Sequence, residues 1–274
     1  MILSETIDSI TKLYEGQLQT ITIERIVLGL FFGGVKLSNG CGGISYTPAS
    51  EIHHDAGCGS MSFVKPGPGI FKGTPVSAIL DIKFPAALFS MVQLLILNAL
   101  SSPFLTETRY RIVRDTDALG ALDMNLIRKV AMVGAITPFI KVLKTVPHIS
   151  LHVIEQKKES LSGDDKKYYV PSEQAPDIIP ACDTVIITGA TVANRTIDGL
   201  LAYTKPETTV IVTGPTVSCI PDAFFKRNVA VISGTIVADT DKALDMLAEG
   251  AGAYHLFNAG YLRKINIMQK GPVN

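Results

Sequence analysis

Residues Lys129–Leu143, KVAMVGAITPFIKVL, decide the fold. Val130–Val133 is short, apolar and β-rich, Gly134 breaks it, and Thr137–Pro138 opens an amphipathic stretch. Threonine is a good helix cap, and proline is favoured at the first helical position, where its missing N–H costs nothing. The stretch therefore predicts a strand, a glycine turn and a helix N-terminus whose outward N–H groups suit an anionic or polar ligand. The next apolar run, Ile149–Ile154, is closed by Glu155, twenty-one residues after Gly134. An acidic side chain about 20 residues past the turn is where a Rossmann fold holds ribose hydroxyls. The glycine fingerprint is incomplete, because Gly134 stands alone and is followed by Ile136 and Pro138.

Downstream, short apolar runs alternate with helical stretches. The runs are Val130–Val133, Ile149–Ile154, Thr184–Ile187, Thr209–Val212 and Val229–Ile232, with helices near Pro138–Lys144, Arg195–Tyr203, Pro221–Lys226 and Asp241–Glu249. Repeated βα units predict a parallel, doubly wound sheet with right-handed crossovers. Between Glu155 and Thr184, Lys157–Lys167 reads as a solvated charged loop and Ser172–Pro180 as a cover over a strand end. Upstream the pattern is α+β. A helix is expected over Ser4–Tyr14, then a β-rich Thr20–Phe32, a turn at Gly33–Gly34, a return at Val35–Leu37, a turn at Ser38–Gly40 and a third run at Gly43–Thr47. Ala49–Gly73 is loop-like, and Ala86–Leu100 reads as a buried helix. The expected domains are an α+β unit over 1–103 and a Rossmann-like unit over 104–274. Residues 104–128 connect them, with a short helix around Asp117–Leu126.

Lys+Arg and Asp+Glu both number 25, so no net charge favours nucleic acid or an anionic membrane. With 47% hydrophobic and 18% charged residues, the chain suits a sheet buried on both faces and a homo-oligomer interface. Met1–Gly16 has no apolar core of the kind a signal peptide carries. Ala86–Leu100 is interrupted by Ser90, Gln93 and Asn98 and reads as too short to span a bilayer. The expectation is a cytoplasmic protein with a small-molecule ligand and neither nucleic-acid nor membrane partners. Cys41, Cys58, Cys182 and Cys219 form no CxxC pair, and disulfides are not expected.

In a doubly wound sheet, ligands bind outside the strand carboxyl ends. There the sequence places Gly134 to Thr137, Glu155, Thr188-Gly-Ala-Thr191 with Asn194, Thr213-Gly214-Pro215-Thr216 and Ser233-Gly234-Thr235. A single Thr-Gly is ordinary turn chemistry. Its recurrence along one edge points to a polar cleft. His53, His54 and Cys58 are the one metal-like cluster, set against the reading of a polar surface loop. Cys41, within Asn39-Gly-Cys-Gly42, sits at a glycine-rich turn, with no histidine near in sequence to activate it. No GxSxG, HExxH, P-loop or paired-carboxylate motif appears, and no catalytic residue is identified.

GCGGISYTP (Gly40–Pro48), VAMVGAITPFI (Val130–Ile140), CDTVIITGATVANRTIDGLL (Cys182–Leu201) and VIVTGPTVSCIPDAFF (Val210–Phe225) together resemble the "putative heavy-metal chelation" family, a former domain of unknown function. The resemblance covers most of the chain. It implies an enolase-N-terminal-like domain followed by a Rossmann-like domain, with a site in the cleft between them and a heavy metal or metal chelate as what is handled. Three functions follow, in order. The first is an enzyme or carrier that binds a small polar or anionic molecule in heavy-metal chelation or chelator metabolism. The second is a nucleotide- or S-adenosylmethionine-dependent transferase, for which Glu155 argues and the missing glycines argue against. The third is a non-catalytic metal-binding protein using His53, His54 and Cys58. The cleft is expected to be lined by Thr188, Gly189, Thr191, Asn194, Gly214, Pro215 and Thr216. Asn39, Cys41 and Gly42 should face them from the first domain, with turn N–H groups left unpaired.

Overall fold

The computed structural model describes residues 1–49, 69, 71–83 and 86–271. Helix α1 (Ile2–Leu13) buries Ile2, Thr6 and Ile10, the three- to four-residue spacing of one helix face. Strands β1 (Ile23–Leu28), β2 (Phe32–Leu37) and β3 (Gly42–Tyr46) follow as an antiparallel meander. Its second turn lies at the expected Ser38–Gly40. The first turn lies between Leu28 and Phe32 rather than at Gly33–Gly34, and both glycines sit inside β2. Packing explains this. A Cβ on Gly33 would meet the Met91 side chain, and one on Gly34 would lie 2.6 Å from Leu244 Cδ2. The strand is pressed between two helices, and only glycine leaves room.

Helix α2 (Val76–Leu80) leads to helix α3 (Ala87–Ser101), which is buried from Phe89 to Ser101. With the following 3-10 turn, Ala87–Phe104 reaches a length and apolarity sufficient to cross a membrane, so the expectation that it is too short fails. Burial inside the protein, not length, defines its role. Its polar residues bind both halves of the molecule. Gln93 Nε2 donates to the carbonyls of Ile79 and Ile82, both at 2.9 Å. Asn98 Nδ2 donates to Ile44 O at 2.8 Å in β3 and to Thr216 O at 3.1 Å in the C-terminal half. Ser101 Oγ accepts the Ile220 N–H at 3.0 Å.

The C-terminal half contains β4 (Arg111–Arg114), β5 (Lys129–Val133), α4 (Thr137–Leu143), β6 (Ser150–Glu155), β7 (Tyr169–Pro171), α5 (Ala175–Ile178) and β8 (Thr184–Thr188). After these come α6 (Ala190–Ala193), α7 (Ile197–Leu201), β9 (Thr209–Thr213), α8 (Asp222–Phe225), β10 (Val229–Val237), α9 (Thr240–Ala248), α10 (Ala253–Asn258) and β11 (Leu262–Met268). All eight strands form one sheet in the order β4-β11-β10-β9-β8-β5-β6-β7. From β7 to β10 it is parallel, and counted from β5 in chain order it runs 3-2-1-4-5-6, the Rossmann order. Strands β11 and β4 hem one edge antiparallel. The expected helix near Asp117–Leu126 is a 3-10 turn over Ala118–Ala121.

Side chains alternate between faces along the parallel strands. Ala131, Val133, Val185, Ile187, Val210 and Val212 join the core that also holds α1 and α3. Val130, Met132, Ile186 and Ile211 face the other way, under Phe139, Ile140 and Leu143 of α4. One core thus runs through both halves, with the N-terminal half covering one face of the parallel sheet.

A polar clamp adds to this contact. Asp198 Oδ1 accepts the Ile2 N–H at 3.1 Å, and Arg227 binds both Asp198 and Glu5. The Arg227 guanidinium, with smaller help from the N-terminal amine and Lys226, holds the Glu5 carboxyl below its ordinary pKa. A depressed carboxyl pKa contributes stability above the unfolded value, near 4.3, and loses it as pH falls through the folded value. Melting temperature should therefore drop more steeply below about pH 4.3 in the wild type than in Glu5→Gln. Parallel acid limbs in a melting series from pH 3 to 7 would contradict the clamp.

Candidate functional site

Leaving β5, the chain goes to one side through β6; at β8 it turns to the other through β9. Such a reversal leaves a crevice outside the strand carboxyl ends. A cleft of about 790 Å³ opens there. Gly134, Glu155, Thr188, Thr191 and Asn194 line it from the strand ends, and Tyr46 and Pro48 line it from the end of β3. Lys157 and Ser160 also line it, so the segment read as a plain solvated loop forms part of a wall, as do Ser172 and Glu173.

The turn N–H groups are not free, contrary to expectation. Gly134 N donates to Ile154 O at 2.9 Å, Gly189 N to Thr213 O at 2.7 Å and Gly214 N to Ser233 O at 2.9 Å. Each glycine extends the ladder to the neighbouring strand by one bond. Glu155 closes the first turn, since its Oε2 accepts the Ala135 N–H at 3.2 Å and its Oε1 the Gln156 N–H at 2.8 Å. A ribose diol would compete with those bonds. Ile136 and Phe139 pack against the sheet at the helix start, where a dinucleotide binder carries glycines. Thr137 is the first helical residue, not the cap. It is exposed and outside the cleft wall.

Several expected residues instead pack the turn after β9 or join it to the N-terminal half. Gly189 lies 3.3 Å, by its would-be Cβ, from Thr216 and Val217, and Gly234 lies 2.9 Å from Ser218 Oγ. The Pro215 and Thr216 carbonyls face Asn98, and Thr216 Oγ1 accepts the Tyr46 N–H at 2.9 Å. Gly214, with φ of 128°, starts that turn. Gly42 starts β3, four residues and about 13 Å from Tyr46, and Asn39 and Cys41 lie in the turn just before it. They do not line the cleft. Gly42 packs on Thr240, and Asn39 caps its own turn by accepting the Cys41 N–H at 3.2 Å. Because β3 runs towards the cleft, its end arrives there and its beginning does not.

The sequence reading missed Arg195, which lines the cleft between α6 and α7 with φ of 61°. Asn194 Oδ1 holds this bend by accepting Thr196 N at 3.2 Å and Thr196 Oγ1 at 2.7 Å. The Asn-Arg-Thr triplet after the first Thr-Gly was the available signal, because asparagine tolerates and organises such turns.

His53, His54 and Cys58 lie outside the described residues. Among the described residues no group of three His, Cys, Asp or Glu side chains could hold a metal ion. Burial raises the pKa of Cys41 and pushes Cys182 to about 11 and Cys219 to about 12, so these three thiols are neutral and unreactive in the metal-free protein. The described donor set does not fit direct heavy-metal coordination.

Fold and cleft define a two-part Rossmann-like protein whose N-terminal α+β unit reaches the switch point of the parallel sheet. Two family models, both described as "putative heavy-metal chelation", match residues 117–266 and 11–101. The chain belongs to this family. It is similar over nearly its whole length to two crystal structures of family members of unknown function. One, from Pyrococcus horikoshii, has a TM-score of 0.77 at 19% identity and covers 98% of this chain and 100% of its own. The other, from Desulfitobacterium hafniense, has a TM-score of 0.67 at 18% identity and covers 96% and 99%. An uncharacterized protein of Methanocaldococcus jannaschii is 30% identical over 127 residues, 45% of this chain. The chain spans about half the length, 46%, of that curated relative.

Proposed function

We propose that the protein binds a small polar or anionic molecule in the cleft over the carboxyl ends of β5, β6 and β8, as an enzyme or carrier in heavy-metal chelation or chelator metabolism. The carrying observation is the position of the cleft. It lies at the switch point of a Rossmann-ordered sheet, with walls from both halves of the chain. Its volume of about 790 Å³ falls within the range of small-molecule sites. The family description makes a metal–organic chelate, or its organic ligand, a fitting cargo, and the lack of a metal-holding side-chain group among the described residues favours the chelate over the bare ion in this cleft. Rossmann strand order alone speaks for a nucleotide. The engaged Glu155 and the side chains of Ile136 and Phe139 speak against one.

Gly199 provides the test. It lies on the cleft wall in α7, and a Cβ there would meet nothing within 4 Å. Gly199→Trp should therefore fill the cleft while leaving the fold intact, and replacing a helical glycine favours the helix by up to about 1 kcal/mol. In a thermal-shift screen of carboxylate chelators, their metal complexes and adenine nucleotides, a binder at 100 times its Kd adds about 2.7 kcal/mol. Wild type should show such a shift with a chelator or chelate, and Gly199→Trp should lose it. Binding that survives in Gly199→Trp would move the site elsewhere, and a shift with nucleotides alone would favour the transferase reading.

A further inference from the structure

We propose that Arg195 is the anion anchor of the cleft, gripping a carboxylate or phosphate group of the bound molecule; this rests on the cleft reading above. Three arginines of the described chain are half-buried: Arg25, Arg195 and Arg227. Arg25 binds Asp245 at 2.7 Å and Arg227 binds Glu5. Arg195 alone has no side-chain hydrogen bond or ion pair among the described residues. Burial lowers the pKa of this half-buried guanidinium, and a ligand oxyanion would supply the partner that the described protein groups do not.

The surroundings fit an incoming anion. The acidic groups of the same wall are engaged, Glu155 by two backbone N–H groups and Glu173 by the Ser172 hydroxyl at 3.0 Å. Thr188 Oγ1 accepts from Ala190 N, so its own proton is uncommitted. Lys157 lines the cleft as a second cation with no ion pair among the described residues. Arg195 also borders a second, mostly apolar cavity of about 340 Å³ beside Ile7, Leu80, Ile82 and Val192. Arg195 is thus shared by the walls of both hollows. The left-handed backbone at Arg195, unfavourable for a side-chain-bearing residue, is fixed by the Asn194 turn and holds the arginine in this position. A planar five-donor fork selects carboxylate or phosphate geometry, which a lysine point charge does not reproduce.

Calorimetric titration of citrate and of pyrophosphate, as two sources of oxyanion, into wild type, Arg195→Gln, Arg195→Lys and Gly199→Trp tests this. Wild type should bind at least one of them. Arg195→Gln should bind it at least tenfold more weakly, Arg195→Lys should fall between, and neither should melt below wild type, because an unpaired charge is removed or kept. Preference for citrate would identify a carboxylate ligand, and preference for pyrophosphate a phosphate. Phenylglyoxal should label Arg195 in the free protein, and the bound anion should slow that labelling. Anion binding unchanged in Arg195→Gln but lost in Gly199→Trp would overturn the anchor and leave the cleft standing. Binding unchanged in both would remove both. Binding of neither anion would overturn the anchor, while a neutral chelator blocked by Gly199→Trp would still uphold the cleft.

Discussion

Asn98→Ala should cost about 3 kcal/mol of stability and leave unfolding as a single transition. Asn98 is 3% exposed, and its amide nitrogen reaches the Ile44, Pro215 and Thr216 carbonyls. Alanine would leave those acceptors without a donor in a region where water does not replace it, at about 1–3 kcal/mol for a buried group. The lost volume adds a cavity term, offset in part because Asn98 Oδ1 has no partner to lose. For a chain of this size the loss lowers Tm by about 6–12 °C, at about 2–4 °C per kcal/mol. Asn98→Asp should be worse, since it sets a carboxylate against carbonyl oxygens. The single transition follows from the shared core. Melting in two steps, or a loss under 1 kcal/mol, would mean that the halves are held together by something else.

Gly134→Val is expected to be comparably damaging, by about 3 kcal/mol, and to abolish binding in the cleft. Gly134 has φ of 93°, a region that side-chain-bearing residues avoid, and its would-be Cβ lies 2.8 Å from Thr188 Cγ2. Gly134→Ala should cost about 2 kcal/mol through the same two effects. They separate in a double mutant. Thr188→Ser deletes the opposing methyl and should recover about 1 kcal/mol of the Gly134→Ala loss, leaving the backbone part. Strict additivity in denaturant melts would show that the contact between β5 and β8 carries no strain. This contact sits at the switch point, so stability and binding should fail together here.

How much of this is legible in the sequence depends on how local the cause is. The strand–turn–helix at Lys129–Leu143 and the five apolar runs are local signals, and they yield the parallel sheet. Strand β7 is three residues ending in proline, β4 carries an arginine at each end, and β11 interleaves Arg263, Lys264 and Asn266, so none shows a clean apolar run. Gly33–Gly34 read as a turn because glycine serves both turns and close packing, and only the position of Met91 and Leu244 distinguishes them. The same holds at the site. Gly134, Glu155, Thr188, Thr191 and Asn194 follow from strand ends alone. Which end of β3 meets the cleft depends on sheet order, and that replaced Asn39–Gly42 with Tyr46 and Pro48. Arg195 became a candidate only once its lack of a partner was visible in three dimensions.

The most direct test is the position of a bound anion. In crystals of the wild-type protein grown with citrate, or with pyrophosphate if that binds more tightly, the account predicts density in the cleft between Arg195 and Thr188, under Tyr46. An anion bound instead beside Asn39–Gly42, or a cleft left empty while the crystals hold anion elsewhere at full occupancy, would contradict it.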